Sequence, residues 1–569
     1  MLEFKNEDFL NGQINKLDKI TKIISGIRLA LAINLIVWII CFLSIKDNLL
    51  YLILSICSFF VLLLFVILTN NYFKKLSLLK NKALVYTMHK KRRELNFTFS
   101  YDEGREFNDK NDYKLSDLDI FGSKSLFQYL NITRTKLGRD MLARQLINPE
   151  KKDIGFTKCI HKLAENEDSL DIEAGLLEFD DSAKHTNYEE FNSLYQKKIE
   201  FKPFFMISLL SYIISIICLV LVFTISLNPY ILIPLIIINF LLAKVTLNND
   251  VFKLNSYKYY SLCEANLELS KRCNSFKIND EYYDSLLNDI NKNIDSLKRL
   301  KSIYIALSTR KNIIANIILN SFFIYDFWII LIYNRLINKL DSLEKLFLAI
   351  AEIEVMLSFS IIGMDNDDYC IPSVSDDINF IDIYHPLVLN CVENTFNLSG
   401  GVVLTGSNMS GKTTFMRTIG LNQILFNAGS IVCAKSFSSN HYKIYTSLRA
   451  NDMLSEGIST FYAEILRMKK INEALNDGRI LILVDEIFKG TNAYERISAS
   501  LKVIDKLNEY NALFIISTHD FELCDANNIL NYHFNEEYND NKISFDYKIK
   551  EGKCSSKNAL YLLKMSGII

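Results

Sequence analysis

The stretch Gly406-Ser407-Asn408-Met409-Ser410-Gly411-Lys412-Thr413 sets the strongest constraint on what this chain can become. It fits G-x-x-x-x-G-K-[ST], a loop whose backbone N–H groups close around phosphate oxygens. Such a loop needs a buried strand before it and a helix N-terminus after it. Both are written here. Gly401-Val402-Val403-Leu404-Thr405 is apolar and β-branched, and Thr414-Phe415-Met416-Arg417-Thr418-Ile419 has the pattern of a helix start. The segment therefore belongs in an α/β sheet. Residues Gly406 to Thr414 would surround the phosphates of a nucleotide. Lys412 would reach the β- and γ-phosphates, and the Thr413 hydroxyl would ligate Mg²⁺. A glycine-rich turn with a chance lysine is the bland alternative, and the motifs downstream count against it.

About 70 residues on, Ile480-Leu481-Ile482-Leu483-Val484 forms an apolar strand ending in Asp485-Glu486. An aspartate there can hold Mg²⁺, and the adjacent glutamate can orient or deprotonate an attacking water. A second strand, Leu513 to Ser517, ends at Thr518-His519-Asp520, where His519 can sense a γ-phosphate. Upstream of both, Gly457-Ile458-Ser459-Thr460-Phe461 opens a helix and is followed by Glu464. Ser459 and Thr460 would make a second phosphate-facing helix N-terminus, although on the residues alone an ordinary N-cap is the simpler reading.

The first half of the chain is of another kind. Leu29 to Ile45 and Leu49 to Thr69 are apolar all round, separated by Lys46-Asp47-Asn48. Each can cross a hydrocarbon core of roughly 30 Å as a helix. A second hairpin is expected from Phe204 to Ile225 and Tyr230 to Leu247, with a turn at Ser226 to Pro229. Lys74, Lys75, Lys80, Lys82 and Lys90 to Arg93 follow the first hairpin, and Lys197, Lys198 and Lys202 precede the second. The positive-inside bias puts the N-terminus, residues 70–203 and everything after 248 on the cytoplasmic side of a cell membrane. Ile313 to Ile332 is a fifth apolar run, but Asn316, Asn320 and Asp326 are costly in lipid. We expect it to be a buried helix of a soluble core. Residues 248 to 360 carry helical periodicity with no proline. Eleven cysteines without C-x-x-C pairing point to neither a disulfide framework nor a zinc site. The net charge of −1 gives no global basic excess for nucleic acid.

The ordered motifs after residue 380 resemble the ATPase domain of the MutS family of DNA mismatch repair proteins. The resemblance rests on Gly406 to Arg417, on Ser459-Thr460-Phe461 with Glu464, on Asp485-Glu486-Ile487 with Lys489-Gly490-Thr491, and on Thr518 to Leu523. His385-Pro386 matches the start of that domain. Thr133-Arg134-Thr135-Lys136-Leu137-Gly138 and Ala351-Glu352-Ile353-Glu354-Val355 look like the two ends of the family's helical core. The resemblance implies ATP hydrolysis with Mg²⁺ in a homodimer, Ser459 reaching the partner's nucleotide, and DNA binding. There are departures. No stretch resembles the mismatch-reading domain. Ser407 stands where the family has proline. Cys391-Val392-Glu393-Asn394 lacks an aromatic for stacking on adenine.

The expected architecture is an α/β P-loop NTPase domain plus an all-α helical core, with four transmembrane helices in two hairpins. Its parts are a cytoplasmic segment 1–26, hairpin 27–69, linker 70–114, core 115–202, hairpin 203–247, core 248–372 and ATPase domain 373–569. Membrane lipid is then a partner, and DNA a further one. Two rival readings are an ABC-type transporter half and a membrane-tethered ATPase switch without DNA. The chain has no L-S-G-G-Q signature, which weighs against the transporter.

Overall fold

A computed structural model of the chain describes residues 7–45, 49–179, 205–224, 228–246, 256–309, 319–320, 325–337, 343–407, 409–449, 460–489, 491–539 and 542–554. Two long helices come first, α1 (Glu7–Ser44) and α2 (Leu49–Arg93), packed against each other. Their apolar stretches are almost wholly exposed, and both are long enough to cross a membrane. Where they leave the apolar region, Arg28 donates to Thr69 Oγ1 and to the Val66 carbonyl, and its guanidinium lies over the Phe73 ring. The segment expected as a linker from residue 70 begins instead as an unbroken continuation of α2. No proline or glycine interrupts it before Arg93.

Short helices α3 (Tyr113–Asp117), α4 (Leu126–Leu130), α5 (Lys136–Ile147), α6 (Ile154–Glu165) and α7 (Ser169–Leu176) follow. Then come the apolar helices α8 (Phe205–Thr224) and α9 (Leu232–Thr246), shorter than the first pair. Asn239 lies buried between them, bonded to Ser211 and Ser215. The helical core closes with α10 (Ser256–Ser275), α11 (Glu281–Thr309), α12 (Tyr325–Ile337) and α13 (Leu343–Asp365). Helix α13 is also apolar enough to span a membrane, but 89% of its apolar window is buried, so it is the central core helix.

Two buried carboxylates help tie α13 to the rest. Its Glu354 accepts from the backbone N–H groups of Arg134 and Thr135, at 2.9 and 3.1 Å, and from the Thr135 hydroxyl. Burial pushes this carboxyl up to about 7 against those donors. Gly138 is forced by the same contact, since a Cβ there would lie 2.0 Å from Glu354 Oε2. At the far end, Asp365 is enclosed by cations from α2. His89 Nδ1 is 2.9 Å from Asp365 Oδ1, Arg92 Nη1 is 3.3 Å from Oδ2, and Arg93 Nε is 3.1 Å from Oδ1. The other ring nitrogen of His89 is 2.9 Å from Glu173.

The remaining described chain is α/β. One sheet has the order β10-β9-β4-β8-β7-β6, from β4 (Gly401–Thr405), β6 (Lys443–Ser447), β7 (Ile480–Asp485), β8 (Leu513–Ser517), β9 (Ile529–Asn539) and β10 (Lys542–Glu551). All its pairings are parallel except β9–β10. Strands β4 and β8 are buried along their whole length, as parallel strands covered on both faces must be. Helices α14 (Lys412–Asn427), α15 (Thr460–Ala474) and α16 (Ala493–Glu509) accompany it. A smaller sheet, β1-β5-β2-β3, joins β1 (Ser373–Val374), β2 (Ile378–Ile383), β3 (Asn394–Leu398) and β5 (Ser436–Ser439).

Of the fifth apolar run, residues 313–318 and 321–324 lie outside the described residues. The rest is only half buried. Ile329 and Ile330 face the core, while Trp328 and Ile332 are exposed.

Candidate nucleotide site

The loop after β4 turns sharply. Gly406 has φ +145°, and a Cβ there would meet the Phe534 carbonyl at 2.9 Å. The next turn brings the chain into α14, whose first residue is Lys412. The lysine is buried, and its ammonium donates to the Gly406 and Ser407 carbonyls at 2.7 Å each. Burial lowers its pKa, a cost that nearby Asp485 and Glu486 partly offset. Ser410 Oγ donates to the Ser407 carbonyl at 2.9 Å, tightening the same loop.

Strand β7 delivers Asp485 to the mouth of the loop. Thr413 Oγ1 donates to Asp485 Oδ2 at 2.7 Å, and Ser517 Oγ donates to Asp485 Oδ1. A hydroxyl and a carboxylate are hard oxygen donors. Mg²⁺ takes such a pair while keeping waters and phosphate oxygens for its other positions. The residues present fit that ion.

Glu486 follows with φ +53°, a left-handed conformation unusual for a side chain with a Cβ. Its backbone N–H is held by the Ser517 carbonyl at 3.0 Å. His519 Nε2 is 3.1 Å from Glu486 Oε1, and Lys489 Nζ is 3.3 Å from Oε2. The His519 hydrogen bond, with the Lys489 charge, holds the carboxyl down at about 2 despite partial burial. Glu464 on α15 accepts from the Lys489 backbone N–H at 3.1 Å, and Phe461 meets Phe488 edge-on. Asp520, next to His519, is gripped by Arg496 through two bonds of 2.6 and 2.7 Å.

A cavity of about 520 Å³ joins these groups. Ser407, Met409, Gly411, Lys412, Thr413, Thr414, Asp485 and Glu486 line one side of it. Val388 to Val392, with Asn394, line the other. Gly406, Ser410 and His519 are not among the residues that line it. Asn408 and Ser459 lie outside the described residues, as does Gly490. Thr460 is the first residue of α15.

One lining residue was not foreseen. Tyr547 enters the cavity from β10, and its ring lies close enough to Gly411 that a Cβ there would touch it at 3.1 Å. A β-bulge between Phe545 and Ile549 turns it inward, with φ +51°. Asn394 clamps that bulge, donating to the Tyr547 carbonyl at 3.0 Å and accepting from the Ile549 N–H at 2.8 Å. The aromatic missing from residues 391–394 is thus supplied by another strand. The alternation Ile543, Phe545, Tyr547, Ile549 looks like a regular strand and gives no sign of a bulge.

Comparison with known proteins matches this part of the chain. The family model described as MutS domain V covers residues 402–568. The DNA mismatch repair protein MutS of Leptospira interrogans is 30% identical over 259 residues, covering 42% of this chain and 30% of that protein. The protein of the same name from Bacillus licheniformis is 32% identical over 247 residues, covering 40% and 28%. MutS protein homolog 4 of Mus musculus is 30% identical over 244 residues, covering 40% and 25%. Residues 402–568 of this chain carry a domain of the MutS family. The chain spans less than a third of the length of these curated relatives. The matched region opens within β4 and takes in the rest of the six-stranded sheet.

If Tyr547 stacks on a base, Tyr547→Ala should weaken nucleotide binding by roughly three- to tenfold, the scale of one aromatic contact of about 1 kcal/mol. Tyr547→Phe should bind normally. Equal loss in both variants, by calorimetry, would mean that the hydroxyl and not the ring matters.

Proposed function

We propose that this MutS-family chain is a membrane-anchored ATPase that binds ATP with Mg²⁺ at the 406–414 loop and hydrolyses it as a homodimer. The observation that carries the reading is the single cavity onto which Lys412, Thr413, Asp485 and Glu486 all open. Lys412 and the loop amides hold the phosphates, Thr413 and Asp485 hold the ion, and Glu486 orients the attacking water. The bound ion would neutralise charge developing on the phosphates. His519 fixes the Glu486 carboxylate, and Ser459 completes the partner's site. Residues 373–569 form the ATPase domain, and 115–202 with 248–372 form the helical core. The hairpins at 27–69 and 203–247 anchor the chain in a cell membrane with the ATPase on the cytoplasmic side. The exposure of the apolar faces of α1 and α2 supports this, since water would not tolerate so large an apolar surface.

The test is nucleotide binding and hydrolysis by the detergent-purified chain, alone and with duplex, mismatched or branched DNA. Lys412→Ala should reduce ATP binding by more than about tenfold, through loss of charge-assisted contacts. Unchanged binding by calorimetry would remove the assignment of the loop.

A second reading, a tethered switch without DNA, is favoured by one observation. Basic residues of the helical core that could meet a DNA backbone are Lys271, Arg272, Lys298, Arg299 and Lys301. Four of them are already paired, with Glu268, Glu178, Asp295 and Glu264. Phosphate contacts made by neutralised cations are weak and salt-sensitive. We therefore expect duplex binding to be feeble, with little mismatch preference. A salt-resistant preference for mismatches would overturn the switch reading.

A further inference from the structure

The packing of the helical core against α2 fixes how far each core helix reaches toward the membrane. Lys74 on α2 pairs with Glu264 and Glu268 on α10, at 3.0 and 3.5 Å. Further along, Lys82 on α2 and Arg272 on α10 meet at Asp171, by an ion pair and a bond to its carbonyl. Eight residues on α2 are thus matched by four to eight on α10, and the two helices run the same way. Helix α11 runs back beside α10. Asn274 bonds Asn291, Lys301 pairs with Glu264, and Tyr259 stacks on Tyr304 with ring centroids 5.6 Å apart. As the α10 number falls, the α11 number rises.

Lys74, Glu264 and Lys301 therefore mark one level. Thr69, where the apolar run of α2 stops, lies about 7.5 Å beyond it at 1.5 Å per residue. Helix α11 continues past Lys301 to Thr309, about 12 Å in the same direction. Its end is level with residues inside the apolar run. Helix α12 starts at that end, where Tyr325 Oη donates to the Ala306 carbonyl at 3.2 Å. Trp328, one turn along, is then within about 5 Å of the level of Thr69.

The side chains at this level are those that a lipid interface selects. Ile305 is 46% exposed and Trp328 55%, while Ile329 and Ile330 beside Trp328 are buried. Tryptophan concentrates at membrane–water interfaces.

We propose that the end of α11 and the start of α12 make a third membrane contact, seating Ile305 and Trp328 in the headgroup layer on the ATPase side. This rests on the anchoring of α1 and α2 in a bilayer. It makes the tip of the helical core a lipid-bound surface and not a free arm.

The chain contains two tryptophans, Trp38 in the middle of the α1 apolar run and Trp328. The full chain is reconstituted in phosphatidylcholine vesicles whose acyl chains are brominated either near the headgroup or near the methyl end. In Trp38→Phe, the emission comes from Trp328, and it should fall by about half in the shallow-brominated vesicles and less in the deep ones. In Trp328→Phe, the emission comes from Trp38, and the order should reverse. Quenching of Trp38 with none of Trp328 would overturn the third contact and leave the anchor standing. Quenching of neither would overturn the anchor and the contact together.

Discussion

Glu486→Gln is expected to leave ATP binding near normal and to slow hydrolysis by about a hundred- to ten-thousandfold, the range of a general-base contribution. The carboxylate stands at the end of β7, with His519 on one oxygen and Lys489 on the other. Glutamine has the same shape, but it carries no charge to attract Lys489 and cannot take a proton from water. With its pKa held at about 2, the carboxylate is ionised throughout the working range. Because that pKa is depressed, its contribution to stability is present above the ordinary glutamate value near 4.5 and is lost only as pH falls toward 2. Raising the pH should therefore not rescue the variant. ATP-bound dimers should accumulate and be visible as a larger species by size-exclusion chromatography in ATP. Turnover within a few-fold of the parent would show that another group handles the water.

Asp365→Ala should destabilise the chain by about 3–5 kcal/mol, the cost of stranding buried charge. Asp365 is fully buried, and so are His89 and Arg92. Burial alone would lower the His89 pKa, but Asp365 and Glu173 outweigh it and raise it to about 9. The imidazolium's contribution to stability is then complete below about 6.5 and fades as pH rises through 9. The parent should lose melting temperature between neutral pH and pH 10, and the variant should show a flatter profile. A variant that melts with the parent at neutral pH would mean that α2 is held elsewhere.

The contrast between these two sites shows which features a sequence discloses. The nucleotide site is built from short runs in which local chemistry is complete. A glycine-bounded loop, a buried strand and a following helix are contiguous, and Asp485 ends a strand of five apolar residues. The Asp365 cluster joins residues 276 positions apart, and nothing near His89 or Asp365 announces the other. Tyr547 was hidden for a related reason, since its inward turn depends on Asn394, a residue of a different sheet. The length of α2 was not legible either, because basic residues at 74–93 suit the end of a span and equally suit a helix that carries on into the core.

That uninterrupted helix has a geometric consequence for encounters between copies. From Thr69 to Arg93 it measures about 36 Å, and its far end is fixed in the core by Asp365. Were the hairpins to anchor the chain as proposed, every copy in one bilayer would carry its nucleotide cavity at the same altitude and with the same side uppermost. Two copies would then search for each other by sliding in a plane and spinning about one direction, three freedoms in place of six. Any two-fold axis relating them must stand upright on the bilayer.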